Sequence, residues 1–394
     1  MTSKKTSLKN IFRFVLLISI AILALCSCSQ EDEEIQTSPI IRRTFQNYGP
    51  YIYTDWGETY RYNIKTQSFG SACLDPVCDG TCIPEQVITA VNQIYDGKVF
   101  LGAWEAYTHR TLYGYQDIIS GEIVVLKEFD EIESSGATAL YVWDDDMYYT
   151  RKILKDGGDK TNPEDYILYI CRMPIDGGEE EVLYESEEEN LCLVQDNLLI
   201  INRDDVFYSV NMDTWEEKVL FDIAEYGYIL GDRNLIYTNG KAYLFCRREN
   251  DYFYSEYRGN KIKNYLMSFD IHTGEVMQLT DRPVASFTVN EEGIYYVPQV
   301  QRHMYVPEDY NGNPNTVVVL YADENLHFMD FDGSEDRIVY TNPNLCFYDV
   351  MGPVIDNVLY GWFSDYNEDE HYFGEVYFGG VNLQTGEIIR TVRE

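Results

Sequence analysis

The sequence predicts an all-β protein, a single β-propeller of about seven four-stranded blades. Three observations carry that expectation: one hairpin pattern recurs seven times, two further short strands precede most copies, and helical periodicity is scarcely visible. In each copy a short aromatic or aliphatic strand ends in a turn, and a strand rich in Val, Ile and Leu follows. Aligned on the residue that opens each turn, the copies start at Asn63, Asp117, Pro174, Asn211, Asp270, Asp330 and Asn382.

Taken in chain order, the first element is an export signal. Lys4, Lys5, Lys9 and Arg13 precede an apolar run from Phe14 to Leu25, and small residues and cysteines follow. That run is about a dozen residues, where a helix spanning ~30 Å of hydrocarbon needs roughly 20. Leu25-Cys26-Ser27-Cys28 resembles the lipobox of bacterial lipoproteins. The resemblance implies cleavage ahead of Cys28, since Ser27 is the small residue the motif wants there, and a diacylglycerol thioether on Cys28. Residues 1–27 are then the signal peptide. Residues 28–41, which include SQEDEEIQTSPI, are an acidic tether too poor in large apolar side chains to fold.

Residues 42–394 are read as the propeller. Asp or Asn at the opening of a turn accepts a hydrogen bond from backbone two residues on, and Gly at 121, 177, 274, 333 and 386 supports positive φ at low cost. Ahead of the hairpins lie pairs such as NLCLVQ with NLLIINR, and VASFTVN with GIYYVPQV. Four strands every 50 residues or so fit a blade better than a sandwich. Seven is the count, or six or eight if the first unit is incomplete. Aromatic residues make up 15% of the chain, with 35 tyrosines, and in the strands their flat rings suit the wedge between splayed sheets.

The tandem D-I-x-T-G-E hairpins and the segment CLDPVCDGTC resemble the propeller lipoproteins of Gram-positive anaerobes, related to the TolB and low-density-lipoprotein-receptor propellers. The resemblance spans nearly all of the mature chain and implies fold and location. The family pattern has a histidine after the second cysteine, whereas this chain has Asp79-Gly80. The implied location is a lipid anchor on the bacterial cell membrane facing outward, or the outer membrane or periplasm if the envelope has two membranes.

Long non-repeating insertions occur in units three, five, six and seven, among the loops between second and third strands and the blade-to-blade connections: KILKDGGDKTNPEDY, RRENDYFYSEYRGNKIKN, QRHMYVPEDYNGNPNT and FSDYNEDEHYFGE. Strands alternate direction, so these loops share one rim with the blade-to-blade connections, and the Cys73–Cys82 segment joins them. Insertions on one rim are how a rigid scaffold acquires a binding surface. Tyr252, Phe253, Tyr254, Tyr257, Tyr305, Tyr310, Tyr366, Tyr372 and Phe373, set among Asp and Glu, are expected to be exposed platforms for a sugar or peptide. Asp309, Asn311 and Asn313 alternate as at the start of a calcium loop, and WDDDM and SDYNEDE cluster carboxylates. Calcium is thus a candidate ion, and no cofactor is required.

The formal charge of −36 becomes −40 once the four signal-segment cations are lost, which excludes nucleic acid as a partner. Cys171, Cys192, Cys246 and Cys346 each sit in an apolar strand of a different unit as buried thiols. Cys73, Cys78 and Cys82 crowd one polar loop, which favours a disulfide between two of them. No nucleophile elbow, HExxH, P-loop or dinucleotide fingerprint occurs. The expectation is a non-catalytic, membrane-anchored binding module for a glycan, a peptide or an envelope protein. The alternative is a carbohydrate-active or other hydrolase using carboxylates on the insertion rim.

Overall fold

The computed structural model describes residues 40–42, 45–55, 59–71, 86–105, 110–118, 120, 122–129, 140–159, 162, 165–186, 190–231, 235–255, 259–307, 312–313, 317–367, 369 and 372–391. The expected lipidation site Cys28, the tether through residue 39 and the three loop cysteines Cys73, Cys78 and Cys82 lie outside them. Among the described residues, seven four-stranded antiparallel sheets follow one another along the chain. Blade 1 spans residues 45–71, blade 2 86–129, blade 3 140–186, blade 4 190–222, blade 5 236–278, blade 6 284–341 and blade 7 345–390. The count of seven holds, and six or eight falls away. Ile223–Tyr226 forms a single 3-10 turn, and no helix among the described residues is long and apolar enough to cross a membrane.

The turn chemistry expected from the repeats is present. Asn63 Oδ1 accepts from the backbone N–H of Lys65 and Thr66, Asn211 from Asp213 and Thr214, Asp270 from His272 and Thr273, and Asn382 from Gln384 and Thr385. The turns joining the two innermost strands are as regular: Asp144–Asp145, Asp196–Asn197 and Asp356–Asn357 all have positive φ, which Asp and Asn tolerate and tight hairpins require. Both sets of turns lie on one rim of the ring. WDDDM belongs here, not to a rim of open loops: Asp145 accepts from Tyr95 Oη at 3.2 Å and Asp146 lies 3.8 Å from Arg172.

Aromatic and aliphatic side chains fill the gaps between blades, as the alternation in the strands implies. Tyr62, Tyr113, Tyr148, Tyr149, Tyr243 and Tyr296 are among the largest fully buried residues. The wall between blades 4 and 5 is dominated by Leu, Ile and Val, including Leu199, Ile201, Leu220 and Leu244. Blade 7 meets blade 1 instead through rings: Phe45, Tyr60, Tyr62, Tyr360, Trp362 and Phe378 form one cluster, and Trp362 Nε1 donates to Thr54 Oγ1 at 3.0 Å. Each blade uses four of its own strands, so this aromatic seam closes the ring without an exchanged strand.

Blade 5 carries an addition that the repeats did not announce. Ile41–Arg42 pairs antiparallel with its innermost strand, Ile41 opposite Tyr237 and Arg42 opposite Ile236, and also approaches the innermost strand of blade 2. The start of the described chain therefore lies inside the ring, and Ile40 is buried with Ile236.

Candidate functional site

The insertions of blades 5, 6 and 7 converge where one outer strand stops early. In blade 5 the strand Lys261–Asp270 has ten residues, but its outer neighbour Val276–Gln278 pairs only with Met267–Phe269. Its upper half would leave backbone groups without a ladder partner, a costly state for buried amides. A side chain from blade 6 fills the role. Gln299, only 2% exposed, donates from Nε2 to Ile262 O and accepts at Oε1 from Asn264 N, both at 3.0 Å.

Beside this glutamine lies a cavity of about 310 Å³. Blade 5 supplies Lys261 and Asn264, and blade 6 supplies Gln299 and the stretch Val319–Ala322 from a hairpin inserted between its second and third strands. Blade 7 supplies Cys346, Phe347 and Phe373. A ring contact joins the insertions of blades 5 and 6, Phe253 lying 5.9 Å from Tyr321, and another lies within the insertion of blade 7, Tyr366 being 5.1 Å from Phe373. A chain with 66 acidic and 30 basic residues here presents, among the described residues, one lysine and no carboxylate. Burial pushes the Cys346 thiol up to about 12, against the opposing charge of Arg302, so it is uncharged at neutral pH. Arg302 itself donates to Pro343 O at 2.5 Å and lies 3.4 Å from Glu324.

The insertion of blade 5 is held by an ion pair. Asp251 accepts from Lys263 at 2.7 Å and from Tyr265 Oη at 2.5 Å, and these two bonds hold its carboxyl below the usual range. Tyr254 is 71% exposed and Tyr252 40%, as the platform expectation requires, while Phe253 and Tyr305 are half-buried. Tyr366 corrects that expectation. It is 2% exposed, because a register shift between Ser364 and Tyr366 turns its ring into the core of blade 7 against Phe373. Tyr372 lies in the strand Tyr372–Asn382, opposite Asn367. Tyr257, Tyr310, Asp309 and Asn311 lie outside the described residues, and Asn313 is exposed. Among the described residues no group of three or more His, Cys, Asp and Glu is placed to hold a metal ion.

The buried-thiol expectation holds for Cys171, Cys246 and Cys346, and Cys192 is half-buried. The residues that build the cavity, Lys261, Asn264, Gln299 and Tyr321, were not singled out from the sequence. Their one sequence signal is weak: a glutamine at the end of the otherwise apolar strand IYYVP.

By sequence, no protein-family model and no curated protein matches this chain. Among solved structures it is similar to an oligogalacturonate lyase from Vibrio parahaemolyticus, at 12% identity, with 86% of this chain and 96% of that one covered and a TM-score of 0.48. It is similar also to the β-propeller domain of the Trilobed protease from Pyrococcus furiosus, at 12% identity, 90% and 98% coverage and a TM-score of 0.46. A post-proline cleaving enzyme from Rickettsia typhi is similar at 11% identity, with 92% of this chain and 53% of that one covered and a TM-score of 0.45. The fold assignment rests on the strand pairing itself.

Proposed function

We propose that this chain is a lipid-anchored, non-catalytic binding module of the bacterial envelope, and that its site is the cavity between blades 5, 6 and 7. The ligand class we assign is an acidic glycan. One observation carries the reading: the cavity sets the rings of Tyr321, Phe347 and Phe373 beside Lys261, with no carboxylate among the described residues of its lining. Flat rings suit the apolar face of a sugar, and the ammonium suits a sugar carboxylate. The volume sits at the small end of the range of about 300–1,000 Å³ for ligand pockets, which fits the end of a chain better than its middle. The anchor is supported by the Leu25-Cys26-Ser27-Cys28 motif.

Titration calorimetry on the full chain in detergent, with a uronate-containing oligosaccharide and its neutral counterpart, tests the reading. The uronate is expected to bind, and Lys261→Ala to weaken it about tenfold, the equivalent of one lost ion pair at a partly desolvated site. Equal binding of the neutral sugar, or no effect of Lys261→Ala, refutes the ligand class; turnover of the sugar refutes the non-catalytic role. For the anchor, Cys28→Ala is expected to move the chain from the membrane pellet to the soluble fraction. Retention in the pellet would overturn it.

A further inference from the structure

A second early-ending strand, in blade 7, leaves a different kind of opening. The strand Tyr372–Asn382 has eleven residues, while its outer neighbour Ile388–Arg390 has three and pairs only with Gly379, Gly380 and Val381. One more bond, from Thr391 N to Phe378 O, shows that the Phe378 carbonyl points to the outer edge. In an antiparallel strand, alternate residues turn both backbone groups to the same edge, so those of Val376 point outward too. Among the described residues no partner takes them. In blade 5 the corresponding edge is closed by Gln299, and blade 7 has no such substitute among its described side chains.

Beside this open edge lies a cleft of about 400 Å³ on the seam between blades 7 and 1. Its floor is aromatic, formed by Tyr60, Trp362 and Phe378, and Phe69 and Tyr377 form its half-buried walls. Three charged groups rim it. Asp365 and Arg390 pair at 2.8 Å and Tyr377 Oη reaches Asp365 at 3.3 Å, so those charges are engaged. Glu375 is exposed and has no partner among the described residues. The rim therefore offers one free carboxylate on a chain of net charge −36.

We propose that the outer edge of blade 7 is a docking site for an extended, cationic peptide segment of another protein. The segment adds as a strand beside Glu375–Tyr377, past the point where Thr391 takes the Phe378 carbonyl. It seats one large apolar side chain in the aromatic cleft and places a Lys or Arg at Glu375. Strand addition of this kind draws affinity from main-chain hydrogen bonds and specificity from pockets for alternate side chains. Charge selects the partner: a second copy of this chain would bring its own −36, whereas a basic segment is drawn in. This site is separate from the cavity between blades 5 and 7 and does not depend on its ligand.

The experiment selects a seven-residue phage-displayed peptide library on the full chain in detergent, then synthesises the enriched peptide with N-methyl groups on alternate residues. The expected peptide carries one large apolar residue flanked by Lys or Arg. N-methylation in one phase abolishes binding and in the other leaves it, since only one phase of amides faces the strand edge. Glu375→Lys is expected to weaken the peptide more than tenfold, and Lys261→Ala to leave it unchanged. Failure to enrich any peptide, equal tolerance of both methylation phases, indifference to Glu375→Lys, or dimerisation of the chain through this edge would each overturn the proposal.

Discussion

The two rims of the ring differ in how their residues are occupied. On the tight-turn rim several polar groups reach across to a neighbouring blade. Tyr237 Oη reaches Asp196 at 3.4 Å, His272 Nε2 lies 3.1 Å from the same carboxylate, and Lys218 Nζ donates to His272 O and Thr273 O at 2.7 and 3.1 Å. On the insertion rim, side chains from three blades surround a cavity, and an outer strand is replaced by one glutamine. A rim whose turns are tied to one another across blades fixes the ring, and the other rim is free to carry long loops. If the second rim binds as proposed, substitutions should cost stability on the first rim and binding on the second.

The largest effect is expected at Gly333, in the outer hairpin turn of blade 6. Its φ is +79°, and an added Cβ would stand 2.4 Å from the Leu279 carbonyl at the end of blade 5, a backbone atom that cannot move alone. Gly333→Val combines left-handed strain with a clash between blades, for a loss of about 3 kcal/mol or more in chemical denaturation. A loss below about 1 kcal/mol would show that the turn relaxes freely and that the rim is not stitched as described.

Glu180 comes next. This carboxylate closes the outer turn of blade 3, accepting from Arg151 at 2.6 Å and from the buried Tyr149 hydroxyl, with Lys127 3.0 Å away. Burial works to raise its pKa, but these partners together outweigh it and hold the group below its ordinary 4.5. Glu180→Gln is expected to cost about 2 kcal/mol, the range for hydrogen bonds to a charged group. The same sign governs acid: a carboxyl that titrates lower in the folded state contributes fully above 4.5 and loses its contribution as the pH falls through its folded value. The variant should show a flatter acid limb in a stability-against-pH series, and an unchanged limb would assign the acid sensitivity elsewhere.

Asp270 is expected to matter less. Its carboxyl accepts from His272 N at 2.9 Å and Thr273 N at 2.7 Å, and although burial alone would raise its pKa, those bonds hold it below 3.8. Asp270→Ala removes a turn anchor worth about 1 kcal/mol, and Asp270→Asn, which keeps the acceptor, should recover most of it. Equal losses in both variants would mean that charge, not the acceptor, holds the turn.

Two of these residues also mark what the sequence made legible. Asp270 and Gly333 were readable as turn residues because the requirement is local: an acceptor two residues back, a positive φ three residues on. Seven such turns were enough to count the blades. The cavity was not readable, because it depends on an absence, the missing outer strand partner of Lys261–Tyr265, and on Gln299 arriving from 35 residues away to satisfy Asn264. Tyr366 shows the limit from the other side. A tyrosine among acidic residues in a long insertion looks exposed, but the insertion extends the strands of blade 7, and one register shift turns the ring inward. Nor do the repeats announce that Ile41–Arg42 lines the ring, since two residues carry no period.

The smallest expected effect lies on the insertion rim, and it is the sharpest test of the contrast because it should be nearly zero. Tyr254 is 71% exposed, on the loop that follows the strand Lys241–Phe253. Its ring buries little that Ala would lose, so Tyr254→Ala should shift stability by no more than about 0.5 kcal/mol. If the rim binds as proposed, the same substitution weakens capture of an acidic glycan, because an exposed ring on the blade 5 insertion adds stacking area only when ligand is present. Denaturation and calorimetry on one variant separate the two quantities. A stability loss with binding intact would make Tyr254 part of the scaffold and erase the distinction between the rims at this point; binding lost with stability kept would place recognition on the insertions of blades 5 to 7.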